Sequence, residues 1–358
     1  MRWLRRWSFP LVCMAVSVPL TWAQAAPSPD APPVSTVPAD NSPVDTTPRE
    51  TLRVRSNLVS EYFTVRDKHN ALIPFLTKND CNVFEDKQPQ ALKSFVAEAD
   101  LPLTLGILID TSGSQQYVLP LEQQSGSAFL KRILRPKDQA FLVSFDVGVN
   151  LEQDFTNDTR ELNRAISKVQ INTAAGGGSA GVPGIGQGPV PTIGQPKGTL
   201  LYDAVYEVSN DKMRAQTGRK ALILLTDGED QGSETKPKAA IAAAENANAI
   251  IYVIMIADRG FYFGSGYPMG YSGDYQMKQL TEATGGRVIN VGNNGKKLED
   301  AFAQIEQELR TQYVAQYVPA NKEMDGSFRK VDVFCKDQQD GDLKVQARKG
   351  YFAVGDDE

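Results

Sequence analysis

The strongest constraint on the fold is an apolar run that ends in three oxygen-bearing side chains. Leu105 to Ile109 is unbroken and apolar, and Asp110, Ser112 and Ser114 follow it. A run of this length predicts a strand of a parallel sheet that is buried on both faces. Because open α/β sheets bind ligands at the carboxyl ends of their strands, the sequence predicts a binding site where this strand ends.

Taken alone, these three side chains have two interpretations. Carboxylate and hydroxyl oxygens, with no His or Cys close by in the sequence, are the ligands of hard cations such as Mg²⁺, Mn²⁺ and Ca²⁺. Aspartate and serine are also preferred N-cap residues of helices. The strand end therefore indicates either a metal site or a helix cap, and other parts of the sequence must decide between them.

After Leu101 the sequence alternates between apolar runs and amphipathic stretches. The runs that predict further buried strands are Ala140–Phe145, Ala221–Leu225, Ile250–Ile256 and Val288–Val291. Between the strands, apolar residues at helical spacing predict helices over residues 118–129, 200–208, 239–247 and 298–309. This alternation predicts an α/β fold with a doubly wound, mostly parallel central sheet flanked by helices.

Residues 1–25 have the features of a secretory signal peptide. A start with three arginines precedes a mostly apolar stretch from Phe9 to Trp22, and Ala23-Gln24-Ala25 fits the small-x-small cleavage pattern. The apolar stretch is too short and too interrupted by proline to predict a transmembrane helix. We therefore predict an exported bacterial protein, secreted or periplasmic, with no membrane span after cleavage.

Composition divides the rest of the chain into four segments. Residues 26–50 are rich in Pro, Ser, Thr and Asp and predict a disordered linker. Residues 51–100 alternate β-forming and polar residues, residues 101–312 hold the α/β pattern, and strand patterns return in residues 313–358. We expect the strands of the last segment, Tyr313–Val318, Phe328–Cys335 and Leu343–Phe352, to join residues 51–100 in one small β layer.

The charge of the chain excludes some classes of partner. The net charge is −5, and removal of residues 1–25 would take away three arginines and no acidic residue, which makes it −8. An acidic protein is repelled by nucleic acid and by anionic membrane surfaces. We therefore expect a protein partner, and neither nucleic acid nor a membrane.

A second acidic strand end repeats the pattern of the first. Asp227 and Gly228 follow the apolar run that ends at Leu225, and Thr199 lies where a helix is predicted to begin. If the two strands lie near one another in the sheet, their carboxyl ends converge. A helix cap needs neither Thr199 nor Asp227, so the pattern favours the metal site. The predicted ligands are Asp110, Ser112, Ser114, Thr199 and Asp227.

Three of these segments resemble a known family. Asp110-Thr111-Ser112-Gly113-Ser114, Gly198–Ala204 and Thr226-Asp227-Gly228 are similar to the metal-ion-dependent adhesion site (MIDAS) of von Willebrand factor type A (VWA) domains. The resemblance covers roughly residues 101–317, and Ala283–Arg287 is similar to a late segment of the family. Flanking segments, Val65-Arg66-Asp67, Val83–Asp86 and Arg348–Tyr351, resemble the secreted, acidobacterial-type VWA-related proteins.

The resemblance implies a role for each predicted ligand. Ser112 and Ser114 would bind Mg²⁺, Mn²⁺ or Ca²⁺ directly, and Thr199 would do so when a partner is bound. Asp110 and Asp227 would act largely through water or as acceptors behind the hydroxyls. The family also implies that an Asp or Glu carboxylate of a partner protein supplies the last ligand. This agrees with electrostatics, because a cation held mostly by neutral hydroxyls keeps net positive charge.

Other candidate residues have alternatives that the sequence leaves open. Asp203 would orient Thr199 or cap its helix, and Glu229 and Asp230 would form an acidic rim or simply be solvated. Cys81 and Cys335 form an even pair once Cys13 is removed with the signal peptide, so they are either a disulfide or two separate thiols. A glycine-rich loop is either a partner-binding surface or packed on itself, and it carries Phe261, Tyr262, Phe263, Tyr267 and Tyr271.

Three functions fit these observations. The first is a non-enzymatic, exported adhesion module whose cation binds an acidic residue of a partner protein. The second is a structural or assembly component of an envelope complex in which the metal is incidental. The third is a metal-dependent hydrolase. A Ser-His-Asp hydrolase does not fit, because the only histidine, His69, lies beside Asp67 and Lys68 in a predicted surface turn.

Overall fold

The computed structural model describes residues 58–97, 101–171, 198–256, 273–337 and 341–353. The chain divides into two compact units, Met1–Val54 and Arg55–Glu358, and every described residue belongs to the second. The predicted signal peptide and linker lie outside the described residues and stay predictions.

The described residues form strands at both ends of the fold and alternating strands and helices between them. The strands are β1 (Val59–Arg66), β2 (Cys81–Glu85), β3 (Gln88–Pro89), β4 (Leu92–Ala97), β5 (Leu103–Asp110), β6 (Gln139–Phe145), β7 (Val149–Thr156), β8 (Arg219–Thr226), β9 (Ile250–Met255), β10 (Val288–Asn290), β11 (Tyr313–Tyr317), β12 (Phe328–Asp337), β13 (Gly341–Asp342), β14 (Lys344–Ala347) and β15 (Gly350–Phe352). The α-helices are α1 (Leu119–Ile133), α2 (Thr159–Ile166), α3 (Leu201–Glu207), α4 (Pro237–Asn246), α5 (Gly273–Thr284) and α6 (Gly295–Arg310).

The central sheet has the strand order β10-β9-β8-β5-β6-β7 among the described residues. Neighbouring strands are parallel except for β6 and β7, which form an antiparallel pair at one edge. Every residue of β5 and of β8 is buried, because both strands lie inside the sheet and both faces are covered. The carboxyl ends of β5 and β8 are therefore adjacent.

Helices cover both faces of this sheet. Leu105, Ile107 and Ile109 lie on one face, in an apolar core with α1, α2 and α6. Leu108 lies on the other face, in a core with α3, α4 and α5. Alternate residues of one strand thus enter two separate cores, which is the arrangement of a doubly wound sheet. This confirms the predicted fold class.

Two antiparallel sheets form the accessory β layer. One has the order β14-β1-β11-β4, and the other has β13-β12-β2-β3 with β15 paired to β12. Both sheets contribute to one apolar core, which includes Phe63, Val83, Tyr313 and Val331. The segments before and after the α/β region therefore share one layer, as the fold prediction stated.

A disulfide joins two neighbouring strands within the second of these sheets. Cys81 of β2 and Cys335 of β12 are directly opposite in the antiparallel pairing, and their sulfur atoms are bonded at 2.04 Å. The bond closes a loop between residues that are 254 positions apart in the sequence. A cross-link over such a long loop removes much of the conformational freedom of the unfolded chain.

The prediction of one strand over Leu343–Phe352 is wrong. The segment forms two strands, of which β14 pairs with β1 and β15 pairs with β12 in the other sheet. The chain changes sheets at Arg348, whose side chain is buried and donates from Nε to Glu61 Oε2 at 2.8 Å. Apolar residues alternate with polar ones from Leu343 to Ala347, and Lys349 and Gly350 interrupt this alternation at the break between the two strands.

Candidate metal site

The first part of the site forms where β5 and β8 end side by side. The parallel register places Ile109 opposite Leu225, so Asp110 and Thr226 leave the sheet as neighbours. Thr226 Oγ1 donates a hydrogen bond to Asp110 Oδ2 at 2.7 Å. Asp110 is completely buried, so its carboxylate lies inside the sheet edge rather than on the surface.

The loop after β5 brings both predicted serines to the same place. Ser112 donates its backbone N–H to Asp110 Oδ1 at 2.9 Å. Its Oγ lies 3.0 Å from Ser114 Oγ, and Ser114 Oγ donates to Asp227 Oδ2 at 2.6 Å. Hydrogen bonds therefore link four of the five predicted ligands: Ser112, Ser114 and Asp227 through their side-chain oxygens, and Asp110 through the backbone N–H of Ser112.

A tight turn after β8 sets the position of Asp227. Gly228 has a φ of +83°, a conformation that favours glycine, and a Cβ atom there would lie 2.9 Å from Met255 Cε. This turn allows the backbone N–H of Glu229 to donate to Asp227 Oδ1 at 3.1 Å. The other oxygen of Asp227 faces Ser114, so the carboxylate joins its own turn to the loop of β5.

Thr199 lies on a segment that crosses the end of β5. The backbone N–H of Leu200 donates to the carbonyl of Asp146, just after β6, and the N–H of Gln231, just after β8, donates to the carbonyl of Thr199. Because β5 lies between β6 and β8, the backbone at Thr199 spans the carboxyl edge from which Asp110 emerges. Thr199 is buried at this edge.

The remaining acidic candidates have structural contacts. Asp230 Oδ1 accepts hydrogen bonds from the backbone N–H of Leu201 at 3.0 Å and from Ser233 Oγ at 2.5 Å, which fixes the start of α3. The carboxylate of Asp203 accepts the backbone N–H groups of Glu234 and Thr235, at 3.0 and 2.8 Å. Both residues therefore hold the segment after β8 against α3.

The electrostatics of the site oppose two ionised carboxylates at close range. Burial, and then the charge of Asp227, raise the pKa of Asp110 to about 7. The hydrogen bonds from Thr226 and Ser112 act in the opposite direction but do not cancel this rise. Burial and Asp227 likewise raise the pKa of Glu229. A positive charge at this position would favour the ionised forms.

The donor set fits a hard divalent cation. Two serine hydroxyls and two carboxylates are held together by a sheet edge, with Thr199 on the segment across it, and all are oxygen donors. The described residues contain no group of three or more His, Cys, Asp or Glu side chains close enough to hold a metal by themselves. A cation here would therefore depend on Ser112 and Ser114 as well as on Asp110 and Asp227.

Three residues that the sequence analysis did not select also lie at this edge. Asp146 follows β6 and accepts a hydrogen bond from Thr111 Oγ1 at 2.8 Å, and its position just after a buried strand was an available signal. Gln115 is completely buried, as is Glu122 in the first turn of α1. Glu122 does not stand out in the sequence because it lies in the helix predicted over residues 118–129, and Gln115 is an uncharged residue directly after Ser114.

Comparisons with known proteins give structural neighbours only. No protein-family model and no curated protein matches the chain. Among solved structures, the chain is similar to BatB, a conserved hypothetical protein from Bacteroides thetaiotaomicron, at 15% identity over 58% of this chain and 99% of that one, with a TM-score of 0.41. It is also similar to the vWF domain of Mfa5, a type V pili tip protein of Porphyromonas gingivalis, at 14% identity over 60% and 96%, with a TM-score of 0.43.

A third neighbour carries a metal. Proximal thread matrix protein 1 of the mussel byssus, with a zinc-occupied MIDAS motif, matches at 16% identity over 62% of this chain and 48% of that one, with a TM-score of 0.43. VWA-type domains are thus among the structures to which the chain is similar.

Two further predictions concern other parts of the chain. The aromatic loop that carries Phe261, Tyr262, Phe263, Tyr267 and Tyr271 lies outside the described residues. In the described part of the chain, no helix is long and apolar enough to cross a membrane.

Proposed function

We propose that this chain is an exported, non-enzymatic VWA-type module that holds a divalent cation, Mg²⁺ or Mn²⁺, and binds an acidic residue of a partner protein. The observation that carries the proposal is the contact of Ser114 Oγ with both Ser112 Oγ and Asp227 Oδ2. It joins residues from two strand ends that are 113 positions apart in the sequence into one oxygen cluster. A helix cap would not require such a cluster.

The chemistry of the cluster supports a carboxylate as the external ligand. When bound, the cation would supply a Lewis acid with an affinity for anionic oxygen. Ser112 and Ser114 would hold it through neutral hydroxyls, so part of its charge would stay unbalanced by the protein. An acidic side chain of a partner is the oxygen ligand that balances such a charge best. Because the net charge of the chain is negative, the bound cation would be a local positive charge on an acidic protein.

The test is capture of partner proteins by the full chain in Mg²⁺ and in EDTA. We expect one or more envelope or extracellular proteins to bind in Mg²⁺, to be released by EDTA, and to be lost with Ser114→Ala. The matched control is Ser209→Ala, because Ser209 is a completely buried serine whose Oγ has no hydrogen-bond partner. Replacement of the contacting Asp or Glu of the captured partner by Asn or Gln should abolish binding.

A partner that binds equally well in EDTA and to the Ser114→Ala variant would contradict the proposal. It would favour the second candidate, an assembly component that binds through the β layer. One observation points that way: Phe334 is 58% exposed and forms an edge-to-face pair with Phe84 at 5.7 Å on the outer face of β12 and β2. Exposed aromatic pairs are typical of protein-binding surfaces. Phe334→Ser would then remove binding, and Ser114→Ala would not.

A further inference from the structure

Glu122 is a buried carboxylate with no protein partner in the described structure. Its side chain is completely buried in the first turn of α1, and neither Oε1 nor Oε2 forms a hydrogen bond. Moving an isolated, ionised carboxylate from water into the protein interior costs roughly several kcal/mol, even after the surroundings relax. Such a group needs either a proton or a counter-ion.

Glu122 lies in the helix that follows the candidate metal site in the sequence. Helix α1 begins at Leu119, five residues after Ser114, and Glu122 lies on the face of α1 that packs against the sheet. Burial, and then the charges of Asp110 and Asp227, raise the pKa of the Glu122 carboxyl group well above its ordinary value. These are the charges of the two acidic members of the cluster.

A second unpartnered oxygen belongs to Gln115, the residue after the predicted ligand Ser114. Gln115 is completely buried, and its Nε2 lies 3.5 Å from both Ser114 Oγ and the carbonyl oxygen of Ile256. Its Oε1 has no hydrogen-bond partner. Gln115 and Glu122 therefore both carry buried oxygens without a hydrogen-bond partner in the described structure. A bound ion or a water molecule is the usual explanation for such an acceptor.

We propose that Glu122 is a third, inner carboxylate of the cation site, whose charge is balanced by the cation and on which the affinity for divalent cations depends. This inference rests on the proposed function. Glu122 would act without direct ligation, because the described residues contain no group of three acidic, His or Cys side chains within ligand distance of one ion. It would be a positioning residue that acts on the cation by its charge.

The test is calorimetric titration of Mn²⁺ into the full chain and into Glu122→Gln. We expect the substitution to weaken Mn²⁺ affinity by about 10- to 100-fold, the usual effect of removing a group behind the direct ligands. Glu122→Asp keeps the charge and should restore most of the affinity. The matched control is Glu245→Gln, because Glu245 is also a buried glutamate but lies on α4, among Ala244, Asn248 and Arg348.

A second readout separates this role from an ordinary core position. In EDTA, Glu122→Gln should melt at the same temperature as the unmodified chain or above it, because a group without a counter-ion is removed. Its melting temperature should rise less on addition of Mn²⁺. Unchanged Mn²⁺ affinity, or a variant that fails to fold in EDTA, would overturn the inference. If the unmodified chain binds no Mn²⁺, the proposed function is wrong. If it binds Mn²⁺ and Glu122→Gln binds it equally well, only the inference about Glu122 is wrong.

Discussion

Buried carboxylates occur in two regions of this molecule, and their partners differ. The first region is the arginine junction, which we define as Glu61 and Glu308 with Arg66, Arg287 and Arg348. There, Arg66 Nη2 lies 2.6 Å from Glu308 Oε1, Arg287 Nε donates to the same oxygen at 2.8 Å, and Arg348 donates to Glu61. Both glutamates are completely buried, and each contacts at least one guanidinium.

The second region is the candidate metal site. The oxygens of Asp110 accept only from a threonine hydroxyl and a backbone N–H in the contacts described above, and Glu122 has no hydrogen-bond partner. Both regions bury negative charge, but among the contacts of the described residues only the junction pairs it with charged side chains of the protein. This difference is the one expected if, as proposed above, a cation completes the metal site. The predictions below test this contrast, from the largest expected effect to the smallest.

Removal of an arginine from the junction should have the largest effect on stability. Arg348→Met leaves Glu61 buried without its guanidinium and also removes the contacts of Arg348 with Asn248 and with the backbone of Ser60. Breaking a buried pair in this way costs about 3–5 kcal/mol. Urea denaturation in the presence of EDTA would measure it.

The control for this substitution is an exposed arginine. Arg160 pairs with Asp158 on the surface, with 85% of its side chain exposed, so Arg160→Met should leave the unfolding midpoint unchanged. A similar loss of stability from Arg348→Met and Arg160→Met would show that burial does not increase the contribution of the junction to the free energy of unfolding.

Glu245 offers an intermediate case, since it lies near Arg348 without a direct contact. Burial raises the pKa of Glu245 from 4.5 to about 7, although the charge of Arg348 opposes the rise. Below pH 4.5 the group is protonated in both states. As the pH increases from 4.5 to 7, the unfolded chain loses this proton first, so the stability of the folded state falls.

The expected loss is about 2–3 kcal/mol, from 1.36 kcal/mol for each pKa unit. Glu245→Gln should remove this component, so that its stability falls less than that of the unmodified chain over this pH range. Urea denaturation at several pH values checks it. Parallel stability profiles for the two chains would contradict the prediction.

Neutralisation of a carboxylate in the metal site should have the smallest effect on the apo protein. Asp110→Asn keeps an oxygen that can accept from Thr226 or Ser112 and removes the repulsion from Asp227. We expect the free energy of unfolding in EDTA to change by no more than about 1 kcal/mol, the net value of one hydrogen bond. The same variant should lose the stabilisation by Mn²⁺. A large loss of stability in EDTA would mean that Asp110 is structural, as the arginine junction is.

Sequence patterns predicted the parts of this molecule that depend on local periodicity. The apolar run before Asp110 predicted a buried strand, and the repeat of the pattern before Asp227 predicted its neighbour. Thr199 was expected at the same sheet edge on the condition that the two strands lie near one another, and its backbone does span that edge. These predictions need only the period of the side chains and the handedness of the connections.

Features that depend on contacts between distant segments could not be predicted. The crossover at Arg348 is set by Glu61, which is 287 positions away in the sequence. Glu122 looks like a surface residue of an amphipathic helix until the packing of α1 shows that it is buried. The sequence analysis did not predict the edge strand β7, although Val149, Leu151 and Phe155 alternate with polar residues in the pattern of a half-exposed strand.

The central claim is that a cation from solution completes the charge of the metal site. The most direct measurement is the free energy of unfolding of the full chain in urea at increasing concentrations of Mn²⁺. A cation that binds the folded state alone should raise this free energy by about 1.4 kcal/mol for each tenfold increase in concentration above the dissociation constant. We predict that the free energy of unfolding rises with this slope for the unmodified chain and does not change with Mn²⁺ for Asp110→Asn. A flat line for both would contradict it.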